Sequence, residues 1–259
     1  GLIRMSNVLN FKSVDKSFGG LKVIDDVSFS VEQGSRTALI GPNGAGKTTI
    51  FNLLSGIYEV DKGSIILDEN DITTIPARKR INLGMSRSFQ NIRLMPHLST
   101  LENVMLGQHH LANSFIENFF PLGLIKRNKW AARAEQALID AGLDNYPGQV
   151  VSELPYGIQK RIEVVRALVS NPKLLLLDEP AAGLNSTETK ELQNLLEKVS
   201  TSGTTLLVVE HDMNFVRNLC QRVVVLNFGK KIFEGTPDSV AKDPQVLEAY
   251  LGGDDNNAP

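Results

Sequence analysis

Residues 41–49 read GPNGAGKTT, with glycines at 41, 44 and 46 placed ahead of a lysine and two hydroxyls. Glycine lets a backbone turn tightly and approach a ligand closely, so consecutive N–H groups can wrap around phosphate oxygens where a helix begins. Lys47 can reach terminal phosphates as a point charge, and the Thr48 hydroxyl stands where a magnesium ion bridging two phosphates would take an oxygen ligand. Asn43, Gly44, Ala45, Gly46, Lys47, Thr48 and Thr49 are therefore the candidate contacts of an anion cradle. Two acids, Asp178 and Glu179, follow the apolar run 174–177. At the carboxyl end of a buried strand, Asp178 can hold magnesium through water, and Glu179 can polarise a water for attack on a phosphate. His211 ends another apolar run and can donate to a terminal phosphate. Gln90 ends the strand expected over 85–89, where its amide could touch the metal or the attacking water if that strand neighbours the phosphate loop.

These side chains need a scaffold that puts several strand ends side by side. Residues 37–40 form a short apolar strand before the loop, and 50–54 begin an amphipathic helix after it, which is the strand–loop–helix context a phosphate loop requires. Upstream, residues 8–31 alternate apolar and polar around Gly19-Gly20, as antiparallel strands do around a tight turn. Phe18 precedes that turn and reads equally as a platform for a nucleobase or as a hydrophobic plug. Residues 63–67 read as a strand returning to the same small sheet. A short helix is predicted over 76–82, capped by Thr74, with Arg78-Lys79-Arg80 as a solvated face. Residues 101–170 are helical in pattern, with Trp130, Ala134, Ala137, Leu138 and Ala141 at helical spacing and Gly142 as the stop. The apolar stretch 111–125 is too short for a membrane span and either covers this lobe or meets a partner. The loop 152–161 leads into a helix whose head, at Tyr156 and Gly157, can hold a second anion. Strands at 204–209 and 222–227, a closing strand at 230–234 and two short helices complete the chain.

The 259 residues carry a formal net charge of -2, which gives no electrostatic case for nucleic acid. The single cysteine, Cys220, excludes an intrachain disulfide framework and suits a reducing compartment as a half-buried thiol. No apolar run approaches the ~18 residues that cross a bilayer, and no signal core opens the chain, so a membrane role is expected only through a partner.

Taken in order, these motifs resemble an ATP-binding-cassette ATPase over nearly the whole chain. GPNGAGKTT is similar to the Walker A loop, Gln90 to the Q-loop, LPYGIQKR to the signature, LLLLDEP to the Walker B strand, Ala182-Gly183-Leu184-Asn185 to the D-loop, and His211 to the switch histidine. The resemblance implies an α/β fold: a P-loop NTPase core with an antiparallel β subdomain and an inserted α-helical subdomain. The expected division is 5–90 and 171–251 for the core, 91–170 for the helical subdomain, and 252–259 for a flexible tail. It implies ATP and Mg2+ as cofactors, catalytic roles for Glu179, His211 and Gln90, and metal roles for Thr48, Gln90 and Asp178. Phe18, the loop residues 43–49, Tyr156 and Gly157 would touch nucleotide. It further implies a second ATPase subunit, identical or a sister, closing head to tail so that each signature covers the other's ATP. Transmembrane permease subunits would read the region 90–106 at the cytoplasmic face of the inner membrane, with a substrate-binding receptor engaged indirectly.

The stretch DEPAAGLNSTET, EHDM around His211, the Pro155-Tyr156 form of the signature and the C-terminal EGTPDSVAKDPQVLEAYLG resemble, more narrowly, the ATPase subunits of branched-chain amino acid importers. Cassettes for urea or short amides share much of this pattern. A soluble cassette ATPase acting on chromosomes or ribosomes, and a non-hydrolysing nucleotide sensor, are the rival classes. Four departures stand out: Pro155 stands where a serine is usual and removes a hydroxyl and an N–H, Tyr156 replaces a common glycine, Ile158 stands where Gln or Glu is usual, and Asn185 replaces the D-loop aspartate.

Overall fold

The structure, a computed structural model, describes residues 6–89, 91–108 and 123–251. Gln90, residues 111–122 of the apolar stretch and the tail 252–259 lie outside the described residues. β1 (Asn7–Phe18) and β2 (Leu21–Glu32) form a hairpin through Gly19-Gly20, and β4 (Lys62–Leu67) and β5 (Asn70–Asp71) extend it into a four-stranded antiparallel sheet in the order β2-β1-β4-β5. β3 (Arg36–Ile40), β6 (Met85–Arg87), β7 (Leu174–Asp178), β8 (Thr205–Val209), β9 (Arg222–Asn227) and β10 (Lys230–Gly235) form a second sheet in the order β10-β9-β3-β8-β7-β6. Its strands are parallel from β9 to β6, with β10 antiparallel at the edge.

That order decides where the chemistry falls. β3 is flanked by β9 and β8, and β8 by β7, so the carboxyl ends of the strands carrying the phosphate loop, the Asp178-Glu179 pair and His211 all open on one side. The apolar runs are long because both faces of this sheet are covered. On β7, Leu175 and Leu177 enter one core while Leu174 and Leu176 enter the other. The first core holds α5 (Tyr156–Leu168), α6 (Ser186–Thr201) and α7 (Met213–Leu219). The second packs α1 (Lys47–Leu54) between the parallel and antiparallel sheets through Ile50, Phe51, Leu53 and Leu54. α3 (Thr100–Leu106), α4 (Gly123–Asp140) and α5 pack on one another, joined to the first core by Val104, Ala134 and Leu138. α8 (Pro237–Val240) and α9 (Pro244–Leu251) close the described chain.

Three expectations need correction. The helix predicted over 76–82 is α-helical only as α2 (Ala77–Arg80), continues as a 3-10 turn over Ile81–Leu83, and has no side-chain cap from Thr74. Arg80 is not part of a solvated face: it is buried, and its guanidinium donates to the carbonyls of Thr73, Ile75, Leu53 and Leu54. The last carbonyls of a helix have no intrahelical donor, and here the arginine donates to Leu53 O and Leu54 O of α1, Leu53 O accepting from the Gly56 N–H as well. Cys220 is fully buried rather than half-buried, and burial pushes its thiol up to about 12.

Candidate functional site

The phosphate loop is held in shape before any ligand enters it. Ala45 N–H closes a turn on Pro42 O at 3.1 Å, and Gly229 N–H donates to Ala45 O at 2.9 Å. Gly46 is the N-cap of α1 at φ 107 with no side-chain cap, so the first-turn N–H groups of α1 are left for an anion. This position favours glycine for its conformation, and a β-carbon there would also have to displace the tip of Ile24, whose Cδ1 would stand 2.7 Å away. The Lys47 ammonium folds back onto the carbonyls of Gly41 and Pro42. Burial pulls its pKa down and the Glu179 carboxylate opposes that, which puts the two side chains within electrostatic reach. Asn43, Gly44 and Thr48 are exposed along the loop, Thr49 is half-buried, and Ala45 is buried.

At the end of β7 the two acids have different partners. Asp178 Oδ2 accepts from Arg87 Nη2 at 2.9 Å, a largely buried ion pair. Glu179 takes a left-handed φ of 45, which is costly for a residue with a β-carbon. Its N–H is anchored on Val209 O at 2.8 Å, and its carboxylate lies 3.6 Å from His211 Nδ1. Glu210, between Val209 and His211 at the end of β8, is buried and accepts from the N–H groups of Ala181, His211 and Asp212. Burial raises its pKa, and those three N–H groups oppose the rise. Glu210 thereby fixes the segment after β7 to the segment carrying His211.

The head of α5 is assembled with the loop after β7. Pro155 is the N-cap of α5 and supplies no side-chain cap, so the first N–H groups of α5 stay open. The ring of half-exposed Tyr156 lies over Gly183, and Gly157 sits against the side chain of Glu188. Glu188 and Asn185 form a reciprocal capping box at the start of α6, so the Asn185 side chain is engaged in its own helix. Phe18 is no core plug: it is 41% exposed, edge-on to Tyr58 at 5.0 Å, with the Lys16 ammonium 5.2 Å from its ring.

Sequence reasoning missed Arg87 and Glu210. Arg87 lies in the short strand ahead of Gln90 and Glu210 in the quoted EHDM, and a charged residue next to a buried β-run was the available signal.

The donors fit a triphosphate and a hard cation. The cradle is lined by backbone N–H groups and one ammonium, while Thr48 and Asp178 offer oxygen only, the ligand type that Mg2+ takes alongside phosphates. Bound there, Mg2+ would supply charge neutralisation between adjacent phosphate groups.

A phosphate loop on an inner strand of a parallel sheet, with carboxylates at the neighbouring strand ends, defines a P-loop nucleotide-binding protein. The family model described as ABC transporter matches residues 24–182, and one described as branched-chain amino acid ATP-binding cassette transporter matches 230–256. The chain is 38% identical over 249 residues to the high-affinity branched-chain amino acid transport ATP-binding protein BraF of Pseudomonas aeruginosa, covering 95% of this chain and 98% of that one. It is also 38% identical to LivG of Salmonella typhimurium, with 91% and 94% covered. Among solved structures, an ATP-binding cassette of an ABC transporter in its ADP conformation matches at a TM-score of 0.83 and 30% identity, over 95% of this chain and 99% of that one. The chain belongs to the ABC transporter family and is an ATPase of the ATP-binding-cassette fold.

Proposed function

We propose that this chain is the ATP-hydrolysing subunit of an importer for branched-chain amino acids. The observation that carries the hydrolytic part is the meeting of Lys47, Asp178, Glu179 and His211 at one sheet end, with Glu179 3.6 Å from His211. The cargo reading is supported by the 38% identity to BraF and LivG and by the match over 230–256. Lys47 and the open N–H groups of 43–49 bind the phosphates, Phe18 stacks on the base, and Thr48, Asp178 and Gln90 complete the Mg2+ shell. Glu179 is the general base, and His211 donates to the terminal phosphate. Residues 91–170 act as a helical lobe set on a core formed by 5–90 and 171–251. Two ATPase subunits close head to tail, Tyr156 and Gly157 of one covering the nucleotide of the other, and permease subunits hold the pair at the cytoplasmic face of the inner membrane. A receptor delivers the amino acid to the permease.

Pro155 removes a hydroxyl and an N–H from the contact made across the pair, a loss of about 1–3 kcal/mol for a bond to a charged group. The isolated subunit should therefore hydrolyse ATP slowly, and assembly with permease subunits and receptor in vesicles should accelerate it in the presence of leucine, isoleucine or valine. Equal turnover alone and assembled, or stimulation by urea and not by these amino acids, would contradict the reading.

A further inference from the structure

Arg87 makes more contacts across the site than any role as a strand residue requires. From β6 its Nη2 holds Asp178 Oδ2 at 2.9 Å, while Nη1 donates to Asn52 Oδ1 at 2.7 Å and to Ser55 Oγ at 3.0 Å. The guanidinium lies over the ring of Phe51 at 5.5 Å and over that of Phe89 at 4.8 Å from their centroids. Its Nε is buried with no acceptor, so the group is placed by what its two Nη atoms reach. Asn52 lies on α1 and Ser55 is its C-cap, so one side chain joins the helix that begins at the phosphate loop to the acidic end of β7.

A stability role does not account for this. A buried ion pair gains little over apolar packing, because desolvating two charges offsets most of their attraction. Lysine could not replace the arrangement either, since only a planar guanidinium serves three oxygens in fixed directions.

We propose that Arg87 is a positioning residue for the metal site, a role that rests on reading Asp178 as the metal carboxylate. It balances the charge of Asp178 before a metal arrives and fixes the carboxylate by Oδ2, which leaves Oδ1 to face the metal shell. Through Asn52 and Ser55 it sets the distance between that carboxylate and α1, and so between Asp178 and Thr48. Partners that orient a ligating carboxylate in this way typically change metal affinity or activity by about 10- to 100-fold when removed.

The test compares ATP binding in Mg2+ with ATP binding in EDTA, measured by titration calorimetry on the full chain, for wild type, Arg87→Met, Arg87→Lys and Asp178→Asn. Arg87→Met should lose about tenfold or more of the Mg2+-dependent gain in affinity while its affinity in EDTA stays within about twofold of wild type. Arg87→Lys, which keeps the charge and should fold if the methionine variant does not, should lose at least about threefold of that gain because a point charge cannot replace the fork. Adding Arg87→Met to Asp178→Asn should cost nothing further. A wild-type Mg2+ gain in either Arg87 variant, or equal losses in Mg2+ and EDTA, overturns the proposal while Asp178→Asn responds. A flat Asp178→Asn overturns the metal assignment itself, and the proposal with it.

Discussion

The ring of Tyr156 lies across Gly183: a β-carbon added at Gly183 would stand 3.3 Å from the ring's Cε1. The same glycine has φ +77, so a side chain there is opposed by its backbone as well as by its neighbour. Gly183→Ala should cost about 1–3 kcal/mol, a fall of about 2–4 °C in Tm per kcal/mol in a chain this size. In a Tyr156→Ala background the contact part of that cost should vanish and only the backbone part remain. Thermal unfolding of the four proteins checks this, and an identical cost in both backgrounds would mean the ring does not constrain the loop.

Glu179→Gln keeps the shape of the side chain and removes its basicity. Hydrolysis should fall by at least about 100-fold, the scale of a lost general base, while ATP stays bound and a dimer accumulates. Size-exclusion chromatography at saturating ATP reads the second effect. A protein that remains monomeric there contradicts the assignment of the base.

Lys47 is stored on the carbonyls of Gly41 and Pro42 and must leave them to reach phosphate. Lys47→Ala should weaken nucleotide binding by roughly 10- to 100-fold, from the loss of one charged hydrogen bond worth about 1.5–3 kcal/mol. Folding stability should move little, because the ammonium is partly desolvated by its position. A large drop in Tm with unchanged affinity would reverse that account.

Arg80 donates to the carbonyls of Leu53 and Leu54 at the far end of α1 and to those of Thr73 and Ile75 ahead of α2. Arg80→Met should destabilise the protein by about 2–4 kcal/mol, since charge-assisted bonds are lost and buried carbonyls are left without a donor. Urea unfolding followed by circular dichroism measures it. A change below about 0.5 kcal/mol, the range of ordinary surface substitutions, would show that water replaces the guanidinium without cost.

Cys220 has a thiol pushed up to about 12 by burial, so the thiolate, the reactive form, is scarce at neutral pH. Iodoacetamide at pH 8 should label the native protein only as fast as it opens, and labelling should become rapid in urea at concentrations that unfold it. Fast native labelling would place the sulfur at the surface.

The phosphate loop, the strand runs and the order of the motifs are legible in the sequence because each is local. Glycine spacing, a lysine and two hydroxyls specify a loop within nine residues, and an apolar run of four announces a strand covered on both faces. The sheet order that gathers the strand ends was reachable through the family resemblance. The pairings inside the site were not. Arg87 and Asp178 are 91 residues apart and meet because β6 pairs with β7. Arg80 looked solvated beside Arg78 and Lys79, and only the approach of the C-terminal end of α1 makes it a buried donor. Glu210 read as one member of a polar triplet until the turn after β7 brought the Ala181 N–H to it. Composition and spacing say which groups a segment can offer. The partner that removes a charge from water is chosen by distant backbone brought into register, and that is a property of the folded chain alone.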